Sequence, residues 1–127
     1  MNSEPKRLWL EALRSGKFEQ GKNKLRSTDN DFCCLGVACE VAVQNGVIPE
    51  AKMDADEEAS VFRDRYRYGS DDCFSWSVLP DAVQEWLGLD RANPDLKWEG
   101  IHRSVADLND ACGLTFGEIA DLIEAQL

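Results

Sequence analysis

The longest nearly apolar stretch of the chain is FCCLGVACEVAV, at residues 32–43. On a helix that continues to Gln44, this stretch is apolar almost all round, and one narrow face holds the only strongly polar side chains, Glu40 and Gln44. A helix of this kind belongs in the centre of a small domain. We therefore predict a buried central helix over residues 32–44, with Glu40 near its rim.

Four further helices are predicted from apolar residues at helical spacing and from residues that favour helix ends. Ser3 is a candidate N-cap for the first of them, and Gly16 suits its end. Near the C-terminus, Thr115 and Glu118 form a capping box for the last helix. With the central helix, the predicted segments are residues 4–15, 32–44, 81–87, about 104–112 and 115–127.

Residues 61–69, VFRDRYRYG, alternate between aromatic and basic side chains. This pattern predicts a strand, and CFSWSVL, which follows a turn-forming segment, is its expected partner in a small β-hairpin within residues 61–78. The predicted fold of residues 1–127 is therefore a single, mainly α domain of about five helices around the central helix. The α+β class remains the alternative.

Positive charge is concentrated at the start of the chain. Residues 1–26 contain seven Lys or Arg and three acidic residues, a balance of +4. Residues 27–127 contain seven basic and 21 acidic residues, a balance of −14, so that the whole chain carries −10. Because a strongly acidic surface repels phosphate, we expect no general nucleic-acid binding.

The sequence contains no segment that predicts export or membrane insertion. No long apolar run follows the charges of MNSEPKRLWL, so we expect no signal peptide. The apolar stretch at residues 32–43 is too short to span a bilayer. The five cysteines cannot all pair within one chain, and we expect them to be reduced structural thiols. These features predict a cytoplasmic protein that does not bind membranes.

Four blocks of the sequence carry a resemblance: WLEALRSGKFEQGKNKLR, FCCLGVACEVA, LPDAVQEWLGL and LNDACGLTFGEIADLIE. In these blocks, which cover roughly half of the chain, it is similar to an uncharacterised family of small proteins common in tailed phages, especially those of actinobacteria, and in prophages. The resemblance implies a phage or prophage origin and an accessory role in the cytoplasm of the bacterial host. It implies no catalytic residue.

The segment GKFEQGK, at residues 16–22, has the GxxxxGK spacing of a phosphate-binding loop. A predicted helix precedes it, however, and Asn23 stands where the magnesium-binding Ser or Thr is needed. The basic residues of this region can still hold one anionic group, although a solvated loop is the simpler interpretation. The candidates are Arg14, Lys17, Lys22, Lys24 and Arg26, with Arg63, Arg65 and Arg67 on the predicted strand as a second stripe.

Cys33 and Cys34 lie at the predicted start of the central helix, where the helix dipole lowers a thiol pKa. A thiol hydrolase also needs a base held on a sheet, and no predicted sheet holds His102, the single histidine. No CxxC or HxxxH spacing indicates a zinc site, and the acidic runs lack the glycine and final Glu of a calcium loop. We therefore predict no metal and no other cofactor.

Two functions fit these features best, and a structural component of the virion is a weaker third because the sequence contains no coiled coil or repeat. The first is non-enzymatic binding to a host or phage protein, and inhibition of that protein is one action that such binding allows. The second is binding of a small, nucleotide-like anionic ligand through the basic loop at residues 14–26, with a Cys–His thiol hydrolase as a weaker variant. We favour the first for two reasons. The sequence contains no set of residues that together would form a catalytic site, and a surface with both positive and negative regions suits electrostatic association.

Overall fold

Helix α2 (Cys34–Gln44) lies at the centre of the protein. The structure is a computed structural model that describes residues 1–53 and 65–127. Eight of the 11 residues of α2 are buried, which confirms the predicted central helix. The helix begins two residues later than predicted, with Cys33 as its N-cap, because residues 31–32 form a strand instead. Glu40 is partly exposed at the rim of the core.

Four other helices contribute to the same hydrophobic core in the described part of the chain. They are α1 (Ser3–Arg14), α3 (Asp81–Leu87), α4 (Val105–Asp110) and α5 (Phe116–Gln126). The predicted capping box of α5 is present, with Thr115 and Glu118 each bonding the backbone of the other. At α1 the N-cap is Asn2 rather than Ser3, and the Asn2 side chain donates a hydrogen bond to the Trp86 carbonyl at 2.8 Å.

The prediction of a mainly α fold is wrong. The described residues contain seven strands in three small sheets beside the five helices, which makes the protein an α+β domain. The strands are β1 (Glu19–Gln20), β2 (Asp31–Phe32), β3 (Lys52–Met53), β4 (Tyr66–Gly69), β5 (Phe74–Ser75), β6 (Asp95–Trp98) and β7 (Ile101–Ser104). None exceeds four residues, too short for alternation to stand out in the sequence.

The first two sheets differ in direction. Strands β1 and β2 are parallel, with Glu19 opposite Asp31. Strands β3, β4 and β5 are antiparallel in that order, with Lys52 opposite Arg67 and Gly69 opposite Phe74. The β4–β5 pair is the hairpin predicted within residues 61–78, and residues 61–64 of that prediction lie outside the described residues.

The β6–β7 hairpin was not predicted, and its turn explains why. The two turn residues, Glu99 and Gly100, have φ angles of 50° and 83°, a pair of left-handed residues typical of tight hairpin turns. Asn-Gly or Asp-Gly is the usual sequence for such a turn, because a glutamate rarely adopts positive φ. The sequence WEGI therefore contains only half of the expected signal.

One hydrophobic core joins all five helices. Trp9 of α1 is fully buried in it, and its indole Nε1 donates a hydrogen bond to the Cys34 carbonyl at 3.0 Å. This bond fixes α1 against the first turn of α2. Among the described residues, no helix has the length and apolar character needed to cross a membrane.

Candidate functional site

The basic residues of the 14–26 region are dispersed in the structure. Arg14 donates hydrogen bonds to Asp121 at 2.8 Å and to Glu124 at 3.1 Å, so it joins α1 to α5. Arg14, Lys17 and Arg26 line three different surface pockets. Lys22 is exposed, and Lys24 is partly buried. The structure therefore does not bring the five predicted residues together around one anion.

Arg26 is held in place by aromatic rings and polar partners. Its guanidinium carbon lies 4.4 Å from the centre of the Tyr66 ring and 5.4 Å from that of Phe32. One of its Nη atoms donates to the Asn30 side-chain oxygen at 2.7 Å, and the other lies 3.9 Å from a Glu40 carboxylate oxygen. These contacts give Arg26 a structural role in closing the core beside α2.

The alternation predicted for the strand is confirmed where the structure describes it. Tyr68, on the inner face of β4, is fully buried, and its hydroxyl donates a hydrogen bond to Glu40 at 2.9 Å. Burial raises the pKa of Tyr68, and the Glu40 carboxylate adds to the effect. The inner face thus fastens the sheet to α2, while Arg65 and Arg67 belong to the opposite face. Arg63 lies outside the described residues.

The opposite face of this sheet combines cations with aromatic rings, and we call it the outer face (Lys52, Arg65, Arg67, Phe74 and Trp76). The Arg67 guanidinium carbon lies 4.3 Å from the centre of the Phe74 ring, a cation–π contact between neighbouring strands. The rings of Phe74 and Trp76 meet edge to face, with centres 5.0 Å apart. Phe74 is 38% exposed, so the aromatic part of this face is accessible.

Asp71, in the turn between β4 and β5, contacts two cations of the outer face. Its carboxylate accepts a hydrogen bond from Lys52 Nζ at 3.1 Å and lies 3.8 Å from an Arg67 nitrogen. The hydrogen bond from Lys52 and the charges of Lys52 and Arg67 lower the pKa of Asp71. Asp71 is 76% exposed, so water screens these ion pairs.

Sequence reasoning found Arg65 and Arg67 but missed Lys52, Asp71 and Phe74. Phe74 and Trp76 do alternate in CFSWSVL, which was a usable signal for one face of a strand. Lys52 and Asp71 had no such signal, because they are 19 residues apart and only the pairing of β3 with β4 makes them neighbours.

The two thiols at the start of the central helix, those of Cys33 and Cys34, lack the environment of a nucleophile. Cys33 is 2% exposed, and burial raises its pKa to about 12, which outweighs the lowering expected at a helix start. Cys34 is fully buried, and its pKa is also raised by burial. His102 is exposed on β7 beside a cavity of about 470 Å³, and no described residue that lines this cavity is a cysteine. The two halves of a Cys–His pair therefore lie in different environments.

A family model for a domain of unknown function, DUF8296, matches residues 1–127, the whole chain. The chain belongs to this family. Searches of curated proteins and of solved structures found no match. The description of DUF8296 assigns no activity.

In this DUF8296 chain, the geometry of the outer face is suited to non-covalent binding. The outer face offers cationic donors for carboxylates beside exposed aromatic surface. Its arginines and aromatic rings are residue types enriched at protein contacts. Within residues 1–53 and 65–127, no cluster of three or more His, Cys, Asp or Glu side chains has the arrangement of a metal site.

Proposed function

We propose that this DUF8296 chain is a phage or prophage accessory protein that binds a host or phage protein without catalysis. It acts in the cytoplasm of the bacterial host, and its binding inhibits the partner. The phage-like blocks of the sequence support the origin. The observation that carries the binding function is the outer face, where Arg67 is stacked on Phe74 and lies opposite Lys52 of the neighbouring strand.

Three properties of the outer face favour a protein partner. Arginine and aromatic residues contribute most of the binding energy in many protein interfaces. Arg67 is only 19% exposed and already stacked, so less side-chain entropy is lost when a partner binds. The cations also stand out in a segment, residues 27–127, with a balance of −14, so they attract acidic groups locally and orient an approaching partner.

The proposal is tested by affinity capture with the tagged full chain from an actinobacterial host lysate, at low and at high salt. The test variant is Lys52→Gln with Arg67→Gln. The matched control is Lys97→Gln with Arg103→Gln, which removes the same charge from exposed positions on β6 and β7. We expect the wild type and the control to recover the same protein, and the test variant to lose it.

Recovery of no specific protein, or equal recovery by the test variant, would overturn the proposed binding function. Inhibition is tested separately, by assaying the purified partner with the wild type and with the test variant. A partner whose activity is the same with and without the wild-type chain would refute the inhibitory action.

A further inference from the structure

We propose that Asp71 is an internal competitor on the outer face. Its carboxylate occupies the position at which a carboxylate of an acidic partner segment binds. This inference rests on the proposed function and adds the chemical class of the partner, an acidic polypeptide segment. The partner binds by replacing Asp71 between Lys52 and Arg67.

The first step is that Asp71 lies between the two cations that an external carboxylate would bind. One carboxylate oxygen, Oδ1, lies 3.1 Å from Lys52 Nζ and 3.8 Å from an Arg67 Nη atom, so it bridges two different strands. The outer face therefore already holds one carboxylate, supplied by the chain itself. An external carboxylate that takes the position of Asp71 meets Lys52 Nζ and the Arg67 guanidinium at the same distances.

The second step is that Asp71 is held weakly enough to be replaced. Its side chain is 76% exposed, and exposed ion pairs contribute little to stability. The turn itself is fixed by other bonds, because Ser70 N donates to the Cys73 carbonyl at 3.0 Å and Cys73 N donates to Ser70 Oγ at 3.1 Å. The carboxylate can leave its two partners while the turn keeps its shape.

The third step concerns the rest of the partner segment. Phe74, on the same face, is 38% exposed next to Arg67, so the outer face offers an apolar surface beside its cations. An acidic segment with an apolar side chain beside its carboxylate can bind both features at once. A nucleic acid supplies phosphate and stacking bases instead, but its dense charge is repelled by the acidic remainder of the chain.

Asp71→Asn tests the inference, with Asp72→Asn as the matched control. Both substitutions remove one negative charge from adjacent exposed turn residues, and of these two described carboxylates only that of Asp71 lies within 4 Å of Lys52 or Arg67. The probe is a fluorescently labelled synthetic peptide of alternating glutamate and leucine, titrated at low salt. We expect Asp71→Asn to bind the peptide roughly two- to fivefold more tightly than Asp72→Asn. Adding Arg67→Gln should abolish the gain.

Equal affinities of the two variants, or no binding of the peptide by Asp71→Asn, would overturn the inference. An oligothymidylate of equal charge is titrated in parallel, and tighter binding of it than of the peptide would overturn the assignment of an acidic polypeptide. These failures are distinct from failure of the proposed function. If Asp71→Asn gains nothing while the wild type still captures a partner through the outer face, only the competitor role is lost.

Discussion

At the scale of single residues, Asn109 shows how one buried amide can join distant segments. It is 1% exposed on α4, and its side-chain oxygen accepts hydrogen bonds from Gln20 Nε2 at 2.9 Å and from Cys34 N at 3.2 Å. Its nitrogen donates to the Gly21 carbonyl and to the Asp110 carboxylate, both at 2.8 Å. All four hydrogen-bonding positions of the amide are thus occupied.

We predict that Asn109→Ala lowers the free energy of unfolding by about 2–4 kcal/mol, because several buried groups lose their partner at once. The measurement is urea unfolding followed by circular dichroism. Asn45→Ala is the control, since Asn45 is exposed and its side chain bonds the Val41 carbonyl of its own helix. A loss for Asn109→Ala no larger than that of the control would contradict this account.

At the scale of elements, two helical glycines have opposite surroundings. A Cβ added at Gly36, in α2, would overlap the backbone carbonyl of Leu25, so the absence of a side chain lets that segment pass close to the central helix. A Cβ added at Gly117, in α5, would meet Thr115 Oγ1 at 3.9 Å, an ordinary contact distance.

Alanine substitutions at these glycines should therefore change stability in opposite directions. Gly36→Ala is expected to cost about 1–3 kcal/mol or more, because α2 and the Leu25 segment must move apart. Gly117→Ala is expected to stabilise the protein by up to about 1 kcal/mol, since alanine is the better helix former. Thermal and urea unfolding of both variants would measure the difference. If Gly36→Ala proved neutral, the close approach at Leu25 would be refuted.

At the scale of the whole molecule, the buried thiols make stability depend on alkaline pH. Burial raises the pKa of Cys33 to about 12 and raises those of Cys34 and Cys39 well above the ordinary value, about 8.5 in an unfolded chain. A pKa raised by folding contributes stability that is complete below the unfolded pKa and is lost as the pH rises towards the folded one.

Each buried thiol should therefore lower the free energy of unfolding by about 1.4 kcal/mol per pH unit above about pH 8.5. We predict a steep loss of stability between about pH 8.5 and pH 10, measured by urea unfolding in the presence of reductant. Cys39→Ala should reduce this slope by the contribution of one buried thiol. This expectation holds whatever effect the substitution has on the free energy of unfolding at neutral pH. Identical slopes for the wild type and Cys39→Ala would show that ionisation of this thiol is not responsible.

Local patterns in the sequence were sufficient for the helices and for one face of one strand. The apolar run of α2, the capping box at Thr115 and the alternation around Tyr68 each depend on residues within a few positions of one another. They predict an element wherever it lies in the fold. These local patterns could not predict the α+β class, because strands of two to four residues form only when a neighbouring segment supplies the hydrogen bonds.

The sequence by itself determined the buried central helix, the capping box of the last helix and the basic side of β4. Tertiary structure alone decided what the charged and reactive groups do. It paired Arg14 with α5 and placed Arg26 between aromatic rings. It also raised the pKa of Cys33 where the helix start alone predicts a lower one. The outer face exists because β3 and β5 flank β4, which brings Lys52 and Asp71 together over 19 residues of chain. Periodicity and capping act over a few residues, whereas charge pairing and desolvation depend on every group nearby in space.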